Sequence, residues 1–73
     1  MSNEEKIKFL EIFKEMHTGN STKGEMNKFL SNKNSIECFE LGCLAGSIIT
    51  RDQIDNYWGI IGEIEREILT LKK

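Results

Sequence analysis

The segment from Ile36 to Ile49 limits the fold of this chain more than any other. When it is wound as a helix, it places apolar or small residues on every side, and Glu37 and Glu40 are its only charged residues. A helix that is apolar all round has to be buried by other parts of a protein. The segment therefore predicts a central helix, on which the rest of the chain or a second molecule packs.

Small residues are concentrated in the second half of this segment, at Gly42, Ala45, Gly46 and Ser47. Glycine inside a helix costs about 0.5–1 kcal/mol relative to alanine. Close packing of another helix usually offsets that cost. We predict Gly42, Ala45 and Gly46 as helix-packing positions, within the chain or across a dimer axis, and a ligand cleft is the alternative.

Capping-box spacings, in which a serine or threonine precedes a glutamate or glutamine by three residues, mark three helix starts. They are formed by Ser2 and Glu5, by Thr22 and Glu25, and by Thr50 and Gln53. Ser35 is the predicted cap of the helix between the last two, and Gly19 is predicted to end the first helix in a left-handed conformation. These signals predict one all-α domain, residues 1–73. It is a small bundle of three main helices, over about residues 3–16, 36–49 and 51–71, plus one short helix over about 23–31.

The last predicted helix carries more apolar surface than one small core requires. Its apolar arc spans about 180°, against the ~100° stripe of a helix that packs on a single core. Tyr57 and Trp58 are adjacent on it, and such aromatic residues are frequent in binding hot spots. Glu65 falls inside the arc near Ile61, where a carboxylate has to be paired, protonated or at the edge. We predict Tyr57, Trp58, Ile61 and Glu65 as partner-binding residues; a core Trp58 and a solvated Glu65 are the structural alternatives.

The size of the chain favours self-association. A domain of 73 residues buries only about 60% of the surface that its unfolded chain exposes, and such small domains usually need a staple or a partner. Cys38 and Cys43 lie five positions apart on one predicted helix, so they cannot readily bridge each other. They also match neither a CxxC motif nor a zinc site. We therefore expect two reduced thiols and a homodimer.

Charge and motifs argue against several classes of function. The net charge is −2 and the basic residues are scattered, which argues against nucleic acid as a partner. A helix-turn-helix over the second and third helices would turn Glu37 and Glu40 toward phosphates, so DNA binding is the least favoured alternative. No nucleotide-binding loop or nucleophile motif is present, and His17 is the only histidine. We expect no enzymatic activity, no metal and no cofactor.

The expected function is therefore protein binding. No run approaches the ~18 apolar residues of a membrane span, and no secretory signal is recognisable, so we expect a cytoplasmic protein without membrane contact. Heavy use of Ile, Lys, Asn and Glu, with a single alanine and no proline, is typical of AT-rich genomes. The sequence favours a regulator or inhibitor with a helical apolar surface, encoded by a phage or mobile element and directed at a host enzyme or defence complex. The alternative is an oligomer that sequesters a small anionic ligand, such as a signalling nucleotide, with Arg51 near Tyr57.

Overall fold

The computed structural model describes residues 1–19 and 23–73, and the helices in these ranges number four. They are α1 (Asn3–His17), α2 (Lys23–Ser31), α3 (Ser35–Asp55) and α4 (Gly59–Lys72). The described residues contain no β-strand. The predicted all-α bundle of three main helices and one short helix is confirmed, although the boundary between the last two helices is not where the sequence placed it.

A side-chain cap and a glycine explain where α1 begins and ends. Ser2 is its N-cap, because the Oγ accepts a hydrogen bond from the Glu5 backbone N–H at 3.2 Å. Beyond its end, Gly19 has the positive φ of 89° that the sequence predicted. The predicted cap of α2 at Thr22 lies outside the described residues.

The N-cap of α3 is Asn34, so the prediction of Ser35 is wrong by one residue. The Asn34 Oδ1 accepts from the Glu37 N–H at 2.8 Å, and the Glu37 Oε1 accepts from the Asn34 N–H at 3.1 Å. A capping box needs an acidic residue or glutamine three positions after the cap. Glu37 meets this condition for Asn34 and cannot meet it for Ser35.

The predicted helix boundary at Thr50 is also wrong, because α3 continues without a break to Asp55 as one helix of 21 residues. Thr50 has the spacing of a cap, but N–H groups inside a running helix are already bonded to the carbonyls of the preceding turn. The chain turns instead at Asn56, whose left-handed backbone (φ 49°, ψ 33°) ends α3. Gly59, with φ 75°, then opens α4.

The hydrophobic core lies between α1, α3 and α4, with α2 packed against α1. Its buried apolar residues are Phe9, Leu10, Met26, Leu41, Ile48, Ile64 and Ile68. The most extensive packing is between α1 and α4. Because α3 packs chiefly on α4, only one side of α3 meets the core.

An ion pair joins the loop before α3 to the first turn of α1. The Lys33 Nζ lies 2.9 Å from the Glu5 Oε2 and 4.6 Å from the centre of the Phe29 ring. The hydrogen bond and the charge of Lys33 lower the pKa of the Glu5 carboxyl. Because the folded pKa is lowered, this pair stabilises the fold above the ordinary pKa of glutamate, and the contribution is lost as the pH falls through the lowered pKa.

Replacing Lys33 with methionine is expected to raise the pKa of Glu5 toward its ordinary range, because both the hydrogen bond and the positive charge are removed. The pKa can be followed by NMR titration of the side-chain carboxyl carbon. Lys28→Met, which removes an exposed lysine from α2, is the control and should leave the Glu5 titration unchanged. An equal change in both variants would contradict the pairing of Lys33 with Glu5.

Candidate functional site

The outer face of α3 is exposed along the whole helix. This face consists of Ile36, Phe39, Gly42, Cys43, Gly46, Ser47, Thr50, Gln53 and Ile54, all exposed and none of them charged. Phe39 and Ile54 expose 73% and 75% of their surface, whereas Leu41 and Ile48 on the opposite side are buried. The prediction that other helices of the chain surround this helix is therefore wrong, and its burial by a second molecule stays a prediction. The other helices cover one side of α3 and leave an apolar side in water.

The small residues lie mostly on the exposed side. Gly42 and Gly46 are exposed, and a Cβ atom built on either glycine would meet no atom of the described chain within 4 Å. Ala45 is partly buried against the core. Close helix packing on Gly42 and Gly46 is therefore not found within residues 1–19 and 23–73, because none of the described helices reaches this side. Packing across a dimer axis stays a prediction.

Tyr57 and Trp58 lie in the connection between α3 and α4, and not on the last helix as predicted. Their rings meet edge to face, with centres 4.9 Å apart. Tyr57 is 78% exposed and Trp58 is 54% exposed, so the alternative of a core Trp58 is wrong. The Arg66 guanidinium lies 5.4 Å from the centre of the Trp58 ring, within the range of a cation–π contact. The aromatic pair continues the exposed apolar surface beyond the end of α3.

Gly62 fixes how closely Trp58 approaches α4. A Cβ atom on Gly62 would lie 2.8 Å from the Trp58 Cβ. The Cβ of a side chain moves only with its backbone, so a larger residue at this position would force the connection to shift. Glycine is therefore required here by packing rather than by an unusual backbone conformation.

Gly62→Ala is expected to lower the free energy of unfolding by about 1–3 kcal/mol, the usual cost of overpacking. Gly24→Ala is the matched control, because Gly24 also lies in a helix and has open space around it. That control should be neutral or gain up to about 1 kcal/mol from the better helix propensity of alanine. Denaturant unfolding followed by circular dichroism measures both. Similar stabilisation in the two variants would contradict the tight contact at Trp58.

The other two predicted partner-binding residues lie further along α4. Ile61 is partly buried. Glu65 is exposed, and its Oε2 lies 4.0 Å from the Lys14 Nζ on α1. The structure therefore brings Tyr57 and Trp58 together, whereas Glu65 lies beside α1 at the edge of a shallow groove. A role for Ile61 or Glu65 in binding a partner stays a prediction.

The buried carboxylate of α4 is Glu63, which the sequence analysis missed while it singled out Glu65. Glu63 is 1% exposed. It accepts a hydrogen bond from Arg66 at 3.3 Å, and it lies 3.7 Å from the Arg51 Nε. Arg51 also donates to Glu67 at 2.6 Å. The signal was available, because Glu63 and Glu67 are one helical turn apart and Arg51 is the only basic residue of α3.

This ion cluster weakens the alternative of an anionic-ligand site, in which Arg51 beside Tyr57 would bind the anion. The Arg51 guanidinium donates a hydrogen bond to Glu67 and forms an ion pair with Glu63, whose Oε2 lies 3.7 Å from the Arg51 Nε. An arginine held between two carboxylates has much of its charge compensated already. An anion at this point would therefore compete with two internal partners.

The described residues contain neither a metal-binding cluster nor a membrane-spanning helix. Within residues 1–19 and 23–73, no group of three or more His, Cys, Asp or Glu side chains could hold a metal ion. No helix in the same ranges is both long enough and apolar enough to cross a membrane. Comparison with known protein families, curated proteins and solved structures finds no match. The candidate site is thus defined by the geometry of the chain alone, and it is the outer face of α3 with the Tyr57–Trp58 pair.

Proposed function

We propose that this protein is a non-enzymatic protein-binding module, a regulator or inhibitor, that works through the outer face of α3 and the adjoining aromatic pair. One observation carries the proposal. Ile36, Phe39, Ile54 and Tyr57 are 71%, 73%, 75% and 78% exposed. Large apolar side chains exposed together on one uncharged helix face favour an interaction site, because covering them removes apolar area from water.

The shape and charge of the face favour a protein over other kinds of partner. A single helix is convex, whereas small-molecule sites are concave. The outer face has no cation to attract phosphates. An apolar helix face of this type suits docking against a helix or a groove of another protein. Glu40, at one edge of the face, is well placed for the polar rim that surrounds the apolar centre of such interfaces.

The setting that we propose is the cytoplasm of a bacterial host, with the protein encoded by a phage or a mobile element. Cys38 and Cys43 are free thiols, which suits a reducing compartment. The AT-rich residue usage favours such a source. The target in this proposal is a host enzyme or defence complex that presents an apolar helix or groove.

A second candidate function is sequestration of a small anionic ligand between subunits. The contact between Arg66 and the Trp58 ring supports it, because a cation next to an exposed aromatic ring is a common element of nucleotide binding. Thermal-shift measurements with a panel of nucleotides test this function. A rise of several degrees with one nucleotide would favour sequestration over protein binding.

The proposed function is tested with Phe39→Glu, which places a charge among the large apolar side chains at the start of the outer face of α3. We expect the association constant to fall at least tenfold, which corresponds to about 1.4 kcal/mol. This applies to a host protein captured by the tagged chain or to self-association of the chain. The circular dichroism spectrum should not change, because Phe39 is largely in water already. Leu69→Glu is the matched control, because Leu69 is also exposed, at 62%, but lies on α4. Equal association of all three proteins would overturn the proposal.

A further inference from the structure

The outer face of α3 is nearly symmetric in side-chain size about its middle. Small side chains occupy the centre, with Gly46 and Ser47 at the midpoint. Large apolar side chains lie toward both ends: Ile36 and Phe39 near the start, and Ile54 and Tyr57 at or just after the finish. A surface of this kind is complementary to itself when it is turned end over end, because each large end then meets the opposite large end.

We infer that the partner that covers this face is a second copy of the chain, paired antiparallel with the two-fold axis near the peptide bond between Gly46 and Ser47. The inference rests on the part of the proposed function that makes the outer face of α3 a protein-binding surface, and it places a second copy of the chain, instead of a host protein, on that surface. The end with Phe39 in one copy then lies on the end with Ile54 and Tyr57 in the other. Gly46 at the crossing lets the two helix axes approach to about 8 Å, the short end of the range for packed helices.

The charges on α3 favour the antiparallel pair over the parallel one. A parallel pair would collect Glu37 and Glu40 of both copies at the same end. In the antiparallel pair these ends are separated by about 30 Å, the length of a 21-residue helix at 1.5 Å per residue. The other end of α3 carries Arg51, Asp52 and Asp55, a net charge of −1 against −2 for Glu37 and Glu40, so the antiparallel pair has less repulsion than the parallel one. The two helix dipoles are also opposed, which is the favourable arrangement.

The available area is sufficient for a specific dimer. Phe39 and Tyr57 expose 73% and 78% of their surface, and aromatic side chains bury roughly 150–250 Å² each. Two copies thus offer roughly 450–750 Å² from these rings alone. The exposed parts of Ile36 and Ile54 bring the total to about 1,000 Å², the threshold for a specific interface. Covering this area also supplies burial that a chain of this size lacks.

The position of the two-fold axis is tested by introducing single cysteines into a variant in which both natural cysteines are replaced, Cys38→Ser and Cys43→Ser. Ser47→Cys lies next to the proposed axis, so mild oxidation should convert most of the protein to a disulfide-linked dimer. Ile36→Cys is the control, because its sulfur would be about 30 Å from its counterpart in the antiparallel pair and should not form a link. Linking of Ile36→Cys as efficient as that of Ser47→Cys would overturn the antiparallel arrangement.

Self-association is measured by sedimentation equilibrium of the unmodified chain, and we expect a dimer at about 100 μM that Phe39→Glu weakens at least tenfold. A monomer at this concentration would overturn the inference. If that monomer still captured a host protein through Phe39, the proposed function would survive without the dimer. If neither self-association nor capture depended on Phe39, both would fail. Intact circular dichroism of each variant separates lost association from lost folding.

Discussion

Ile64→Ala is expected to lower the free energy of unfolding by about 2–5 kcal/mol, the usual cost of truncating a buried isoleucine to alanine. Ile64 is 0% exposed and belongs to the core that joins α4 to α1 and α3. At about 0.05–0.15 kcal/mol per residue, a chain of this length has a total stability of roughly 4–11 kcal/mol. The substitution therefore removes a large share of the stability, and partial unfolding at room temperature is expected.

Denaturant unfolding at a fixed protein concentration measures this loss, because any dimer makes the apparent stability depend on concentration. Leu69→Ala is the control on the same helix. Leu69 is 62% exposed, so its truncation should change the stability by less than about 0.5 kcal/mol. Comparable losses in the two variants would contradict the burial of Ile64 and the orientation of α4.

Arg51→Met is expected to lower the free energy of unfolding by about 3 kcal/mol, because it leaves the buried Glu63 with Arg66 as its remaining basic partner. Removing one member of a buried ion pair usually costs about 3–5 kcal/mol. The low end applies here, because the Arg51 side chain is 42% exposed and water screens part of the interaction. Arg51→Met keeps most of the apolar stem, so the loss reports chiefly on charge.

The double variant Arg51→Met, Glu63→Met should recover the share of the loss that comes from the unpaired Glu63, whereas the loss of the Arg51 hydrogen bond to Glu67 remains. Replacing both charges by apolar side chains removes the unpaired carboxylate and the cost of burying it. The two single variants and the double variant form a thermodynamic cycle that isolates the interaction between the two residues. If the two single losses simply added in the double variant, Arg51 and Glu63 would not interact, and their pairing would be contradicted.

The helices that the sequence predicted well are those whose ends depend on neighbouring residues. Ser2 caps α1 through a hydrogen bond to the Glu5 N–H, and Gly19 takes the left-handed conformation after its end. Both effects act over a few residues and are therefore visible in the sequence. The prediction at Thr50 failed because its spacing does not reveal whether the N–H groups that follow are free or already bonded within a longer helix.

The candidate site was harder to predict, because exposure depends on where the other helices lie. The apolar pattern of α3 predicts a helix covered by the rest of the chain or by a second molecule, and it does not indicate which side the chain itself covers. The structure leaves Phe39 and Ile54 in water, and neither residue was singled out from the sequence. For Trp58 the sequence left a core position and an interface position open, and the structure exposes both Tyr57 and Trp58, in a connection rather than on a helix.

Glu63 and Glu65 of α4 also show that burial depends on where the other helices lie. The last helix was predicted to begin too early, and the periodicity on that longer helix singled out Glu65. In the structure Glu65 is exposed, whereas Glu63 is buried beside Arg51. The helical class and the ends of α1 follow from interactions between residues within a turn or two of each other, so the order of residues is enough to establish them. The surplus of apolar surface was predicted on the last helix, but the structure has it mainly on the outer face of α3 and in the connection that follows. Which side of α3 is left in water and which carboxylate is enclosed depend on contacts between helices far apart in the chain, and those contacts exist only once the helices have packed.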